Sequence, residues 1–274
     1  VVPESDSPAL MKWVAILTGS KNAIKGLGFL LGGVLLETIG FRAANVAMAV
    51  ALVGALLLTF AMLPRAPGKS SAKVRFRHLI STDARVNWLS AARLFLFGSR
   101  DVWFVFALPI FLSASLGWSF SQSSGLLSAW IIGYGFVQAM APSFVGDKGI
   151  APDARNVRRW TSALLLPLAA LAVLLHFEVA PAVSLVVGLG LFGIVFAANS
   201  AAHSYLIVHY AEGDKVSLNV GFYYMANAVG RLTGTILSGA VFQWAGQGSQ
   251  GLVACLLVSM GFVVTSLLLC VPLH

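Results

Sequence analysis

The stretch LSAARLFLFGSRDVWFVFALPIFL (89–112) decides the fold. It is longer than the roughly 20 residues a helix needs to cross a hydrocarbon core ~30 Å thick, yet it holds Arg93, Arg100 and Asp101. A charge near the middle of a bilayer costs at least ~2.5–3.5 kcal/mol even on insertion scales. An apolar helix that keeps three ions must therefore turn them toward protein or a water-filled space.

Seven further stretches read the same way: 10–39, 43–63, 121–143, 160–177, 182–208, 217–245 and 251–272, the opening one extending to 88–114. The chain is 58% hydrophobic and 10% charged, with mean hydropathy +0.86, which excludes an ordinary soluble domain. Backbone polar groups in lipid must be satisfied within the segment, so the stretches are helices. The alternation of a membrane barrel is missing. The expected fold is an all-α membrane bundle of eight transmembrane helices.

Charge placement orients it. Arg65, Lys69, Lys73, Arg75, Arg77 and Arg85 crowd one connector, and Lys148, Arg155, Arg158 and Arg159 the next on that side. The connections near 40–43, 115–120, 178–181 and 246–250 hold Arg42 alone. The positive-inside rule makes the basic side cytoplasmic, carboxy terminus included. The net charge of +8 is then topology and not a nucleic-acid footprint. Trp13, Trp88, Trp118, Trp160 and Trp244 fall near helix ends as an aromatic belt, whereas Trp103 and Trp130 are expected inside. Cys255 and Cys270 form no metal or disulfide spacing, and no cofactor is expected. HExxH, GxSxG and paired carboxylates are missing, which argues against an enzyme.

The polar connector divides two spans from six. Residues 1–64 read as the last two helices of an amino-terminal transporter half, 65–87 as a basic cytoplasmic central loop, and 88–274 as a six-helix carboxy-terminal half. Gly19, Gly28 and Gly32 share their spacing with Gly221, Gly230 and Gly234, six helices later. As a parallel repeat this makes the first span number five of twelve, and the polar start at Val1 reads as an interior cut. Close packing of small residues explains the same glycines without a repeat.

Lys21 and Lys25 lie one turn apart on one face, Arg93 and Arg100 two turns apart, and Arg231 midway along its span. With Asn227, one turn before Arg231, they are the candidate substrate-binding residues. Arginine forks and lysine point charges suit oxyanions, and so many cations suit a multiply charged one. Asp101 is the only deeply placed acid. It need not pair with adjacent Arg100, about 100° around the helix, but is placed to neutralise Arg231 or Arg93, which would make those cations structural. Asp101 and His203 are the candidate proton carriers or ion-pair members; Asn199 and His203, one turn apart, either line the cavity or pack as a polar pair. Tyr223 and Tyr224 precede Asn227, and Trp130, Tyr134 and Gln138 form a second stripe.

VGDKG (145–149) resembles the short cytoplasmic Gly-Asp-Arg/Lys motif of major facilitator transporters. KWVAILTGSKNAIKGLGFLLGG (12–33), LSAARLFLFGSRDVWFVFALPIFL (89–112) and WIIGYGFVQAMAP (130–142) are similar to major facilitator superfamily permeases of arsenic-resistance operons. The resemblance implies a twelve-helix bacterial inner-membrane efflux permease, here without its first four helices. It implies a substrate too: 1-arseno-3-phosphoglycerate, made by a glyceraldehyde-3-phosphate dehydrogenase when arsenate replaces phosphate. Pentavalent arsenate is a hard oxyanion suited to Lys and Arg, whereas trivalent arsenic calls for thiolates. The expected function is secondary active efflux by alternating access, coupled to protons. An organophosphate/phosphate exchanger or general organic-anion exporter is the alternative.

Overall fold

In the computed structural model residues 7–62, 81, 83–146, 151–211 and 216–273 are described. Arg65, Lys69, Lys73, Arg75 and Arg77 of the expected basic loop, Lys148, and the Asp147–Lys148 pair of VGDKG lie outside them, as does Val1. The described residues fold into helices: α1 Ser7–Met62, α2 Ala84–Phe104, α3 Ala107–Ile110 with a π turn Phe111–Ser115, α4 Phe120–Met140 with a 3-10 turn Ala141–Ser143, α5 Ala154–Ala163, α6 Leu165–His176, α7 Pro181–Tyr210, α8 Val216–Trp244 and α9 Gly248–Leu269. None of these residues forms a strand.

The boundaries have local causes. α1 breaks at Gly40, whose φ of 76° is cheap only for glycine, so its 56 residues hold the two expected spans. The expected single helix 88–114 is interrupted at Val105–Phe106. Pro109 explains this, since its ring clashes with the carbonyl four residues earlier. The Ala107 amide donates to Ser238 Oγ of α8 at 3.1 Å, which anchors the break. Pro167 does the same between α5 and α6. Asp153 caps α5 in a capping box with Asn156, so Arg155, Arg158 and Arg159 lie on a helix and not in a loop as expected.

Among the described residues six helical segments combine the length and apolarity to cross a membrane, one of them the broken α1. With α1 counted twice and α8, whose 29 residues suffice in length but carry Asn219, Asn227 and Arg231, the eight expected crossings are accounted for.

Glycine sets two of the crossings. α1 meets α4 at Gly19, where a Cβ would fall 3.0 Å from the Ala139 nitrogen. α8 meets α2 at Gly230, where a Cβ would fall 2.8 Å from the Leu94 Cα. Around these crossings lie two apolar clusters. One, centred on Trp103, Phe192 and Phe196, joins α2, α4, α6, α7 and α9. The other seals the basic end, where Met11 of α1 packs with Ala141, Val145 and Ala202. Beyond Gly40, Val46, Leu52, Leu57 and Phe60 stay exposed, as lipid-facing side chains do.

Candidate functional site

Between α1, α2, α4 and α8 lies a cavity of about 500 Å³ that brings together Lys21, Lys25, Arg93, Arg100, Asn227 and Arg231, every residue the sequence nominated for binding. The cations are held differently. Lys21 and Lys25 are exposed, with Lys21 Nζ 5.6 Å from the Tyr224 ring centroid across the cavity. Arg93 is 3% exposed. Its guanidinium lies 3.8 Å from the Phe97 ring and 4.9 Å from Tyr223, and Nη1 donates to the Ser200 hydroxyl at 3.1 Å and its carbonyl at 3.3 Å. Arg100 lies 5.1 Å from Phe97 and 5.5 Å from Phe196. Arg231 is 47% exposed.

Asp101 is fully buried and uses both oxygens. Oδ1 accepts from Arg100 Nε at 2.6 Å, and Oδ2 accepts from Arg231 Nε at 2.8 Å. Arg100 and Asp101, which as helix neighbours need not have paired, do pair, because the long arginine side chain swings around the helix, and of the two cross-helix partners weighed for Asp101 it is Arg231 that meets it. Arg93 takes no part in this pairing: its Nη1 donates to Ser200, and its Nε meets no partner among the described residues.

His203 and Asn199 do not line the cavity. Both are fully buried; Asn199 Nδ2 donates to Thr161 Oγ1 of α5 at 3.0 Å, and neither His203 nitrogen meets a hydrogen-bond partner among the described residues. The helical phase of α7 aims that face at α5 and the basic-end core. His203 thus lies behind Arg93 and outside the cavity lining. Trp103, expected inside, is fully buried among Phe104 and Phe192, away from the cavity lining. Trp130 and Tyr134 do line it, with Trp130 Nε1 donating to the Leu189 carbonyl at 2.7 Å.

Sequence reasoning missed the polar chain at the cavity floor. Asn22 Nδ2 of α1 donates to Gln138 Oε1 of α4 at 2.7 Å, and Gln138 Nε2 donates to Ser200 Oγ of α7 at 3.3 Å. Ser200 in turn accepts from Arg93 of α2. The signal was Asn22 itself, an amide on the face between Lys21 and Lys25. Toward the opposite end the space continues as a chamber of about 630 Å³ past Lys25, Phe29 and Arg231 to Gly32, Gly33 and Phe120. At the rim beyond, Glu37 accepts from the Ser121 amide at 3.0 Å and from its hydroxyl. The cavity is thus closed at the basic end and open at the other.

A charged, half-open cavity between membrane-length helices is the geometry of a carrier, and the sequence model of the Major Facilitator Superfamily matches residues 89–273. The chain belongs to the Major Facilitator Superfamily. No curated protein matches it. Major facilitator proteins are multi-pass membrane transporters of small solutes rather than enzymes. In this member α2 and α8 supply Arg93, Arg100 and Arg231 from within the matched region, and α1 supplies Lys21 and Lys25 from before it.

Proposed function

We propose that this major facilitator protein exports a multiply charged oxyanion, an organoarsenical phosphate ester of the 1-arseno-3-phosphoglycerate kind, and so confers arsenate resistance. One observation carries the reading. Among the described residues five cations converge on one cavity, and the carboxylate paired with them is that of Asp101, a surplus of four positive charges. Cations gathered at membrane depth around a water-accessible cavity are suited to an anion that shares their charge. The chemistry favours hard oxygen ligands: Cys255 Sγ donates to the Ser238 carbonyl at 3.7 Å and Cys270 is buried, so neither offers a thiolate to trivalent arsenic.

The mechanism is alternating access, with rocking about the midplane cavity. Lys21 and Lys25 grip the anion from the amino-terminal helices, and Arg100 and Arg231 from the carboxy-terminal ones, with Asn227 beside them and Arg93 fixed behind. By the positive-inside rule the closed end is cytoplasmic, so the conformation here faces outward. The membrane is the bacterial inner membrane, and a glyceraldehyde-3-phosphate dehydrogenase supplies the substrate. The helices before the 65–87 connector belong to one transporter half and those from 88 to 274 to the other.

A second reading rests on the apolar wall of Phe29, Phe104, Leu127, Trp130 and Ile131, which suits the body of a larger organic anion. Inverted vesicles carrying the protein test both. Given the dehydrogenase, glyceraldehyde 3-phosphate, its oxidant and arsenate, they should accumulate arsenic only when all four are present. Arsenic entry independent of the dehydrogenase would refute the arsenate-ester reading. Labelled phosphate uptake accelerated by internal phosphate would instead establish an exchanger.

A further inference from the structure

We propose that Arg93, His203, Ser204 and Tyr223 form a second anion subsite, between the cavity and its sealed basic end. There a phosphate- or arsenate-type group entering from the cell is held before it passes to the lysines of α1. The inference rests on the polyanion reading above and on its orientation, and it divides the transport path into two stations.

Buried donors gather here without acceptors. Arg93 is 3% exposed, and His203, Ser204 and Tyr223 are buried with it. Nη1 of Arg93 donates to Ser200, but Nε meets no hydrogen-bond partner among the described residues. The same holds for both nitrogens of His203 and for the hydroxyls of Ser204 and Tyr223. These groups come from three helices, yet they lie together. The Arg93 guanidinium is 4.9 Å from the Tyr223 ring, the Tyr223 hydroxyl faces Ser204, and His203 lies beside Arg93. Ser204 follows Ser200 by one turn of α7, on the face that already meets Arg93. Ser90, one turn before Arg93 on α2, adds a further buried hydroxyl without a partner among the described residues.

Protein interiors pair their buried polar groups, so unpartnered ones gathered in one place mark a binding site. Its chemistry follows from the donor inventory. A guanidinium offers donors alone, and the hydroxyls and one imidazole nitrogen can donate as well. Among the described residues no carboxylate pairs with Arg93, whereas Asp101 offsets Arg100 and Arg231. The ligand that suits this set is an acceptor carrying negative charge, since water would take the hydrogen bonds and leave the buried cation unbalanced. Position gives the role. Tyr223 belongs to the apolar cluster that seals the basic end with Met11, Ala141 and Val145. Arg93 also lines the main cavity, and Ser200 ties it to the chain of Asn22 and Gln138 at the cavity floor. An anion admitted when the seal parts meets these donors ahead of the lysines above that floor.

The test is initial uptake of radiolabelled 3-phosphoglycerate into vesicles that carry the full chain and are preloaded with the unlabelled compound. Inverted vesicles present the basic end to the label, and right-side-out vesicles present the opposite end. The variant combines Ser204→Ala with Tyr223→Phe, which removes two hydroxyls and keeps the packing. Each change deletes a hydrogen bond to a charged ligand, so half-saturation from the basic end should rise at least about tenfold. Half-saturation from the opposite end should keep the wild-type value. Because neither hydroxyl has a partner among the described residues, the melting temperature without the probe should match or exceed that of wild type. Unchanged half-saturation at both ends, or an equal rise at both, overturns the proposal. So does a lowered melting temperature, which would mean that the hydroxyls already hold the helices together. If the double variant does not reach the membrane, Tyr223→Phe alone is read by the same criteria. Wild type that takes up the probe from neither end overturns the polyanion reading and this one with it.

Discussion

Replacing Asn22 by Leu removes the hydrogen bond that ties α1 to α4 at the closed end of the cavity. Asn22 Nδ2 lies 2.7 Å from Gln138 Oε1, and Gln138 is fully buried. A buried acceptor left without a partner costs about 1–3 kcal/mol in soluble proteins. Hydrogen bonds between membrane helices average about 0.6 and reach about 1.7 kcal/mol. The lower scale applies, because Asn22 is only half-buried and Gln138 keeps its bond to Ser200. The closed-to-open equilibrium at the basic end should therefore shift by about 3- to 17-fold toward open. The reporter is Ala15→Cys, at a position 1% exposed near that end. A membrane-impermeant maleimide added to inverted vesicles labels it in proportion to the open fraction when reclosing is fast. Asn22→Leu should raise the labelling rate by the same factor, in a background with Cys255 and Cys270 replaced by Ser, because Cys270 belongs to the cluster that seals the same end. An unchanged or slower rate would refute the assignment of this bond as a closure.

Gly230→Leu should lower the melting temperature by overpacking worth at least about 1–3 kcal/mol, since its first carbon already falls 2.8 Å from the Leu94 Cα; thermal unfolding in detergent checks it. Arg93→Ala should cost on the order of 2 kcal/mol of stability, because Arg93 is buried against Phe97, Tyr223 and Ser200. Exposed Lys25→Ala should stay within about 0.5 kcal/mol yet lose anion binding, a contrast that paired melting and binding curves expose. Arg85 holds the Asp83 carboxyl below its ordinary value of 3.8 by a side-chain hydrogen bond. A lowered folded-state value means that stability is present at neutral pH and lost as pH falls through that value. Asp83→Ala should thus cost about 1 kcal/mol at neutral pH through the lost α2 cap, and the gap from wild type should close in acid, measured by denaturation across pH. Export of an anion down an inside-negative potential gains ~2.3 kcal/mol per charge per 100 mV. Imposing a potassium diffusion potential on proteoliposomes should drive flux, whereas a pH gradient that demands proton antiport should not.

The fold was legible because burying charge in lipid is so costly that Arg93, Arg100 and Arg231 could only face a cavity, and the cavity collects them. What length alone hid were the interruptions at Pro109 and Pro167, which hydropathy passes over although proline's missing amide announces them. Pairing between distant helices was beyond reach. Nothing local to Asn22 or Ser200 names Gln138, and the i to i+4 spacing of Asn199 and His203 gave a shared face without saying that it meets Thr161. The pairing of Arg100 with Asp101 stayed open in the sequence for a different reason: helical phase fixes where Cβ points, not where a long flexible guanidinium ends.

The central claim, that these cations carry an organoarsenical oxyanion out of the cell, is tested most directly by arsenic accumulation in cells exposed to arsenate. The cells express the dehydrogenase together with wild type, Lys25→Ala or Arg231→Ala at equal membrane abundance. Wild type should lower cellular arsenic only when the dehydrogenase is present, and both variants should fail to do so. Accumulation unchanged by wild type, or export undiminished in both variants, would contradict it.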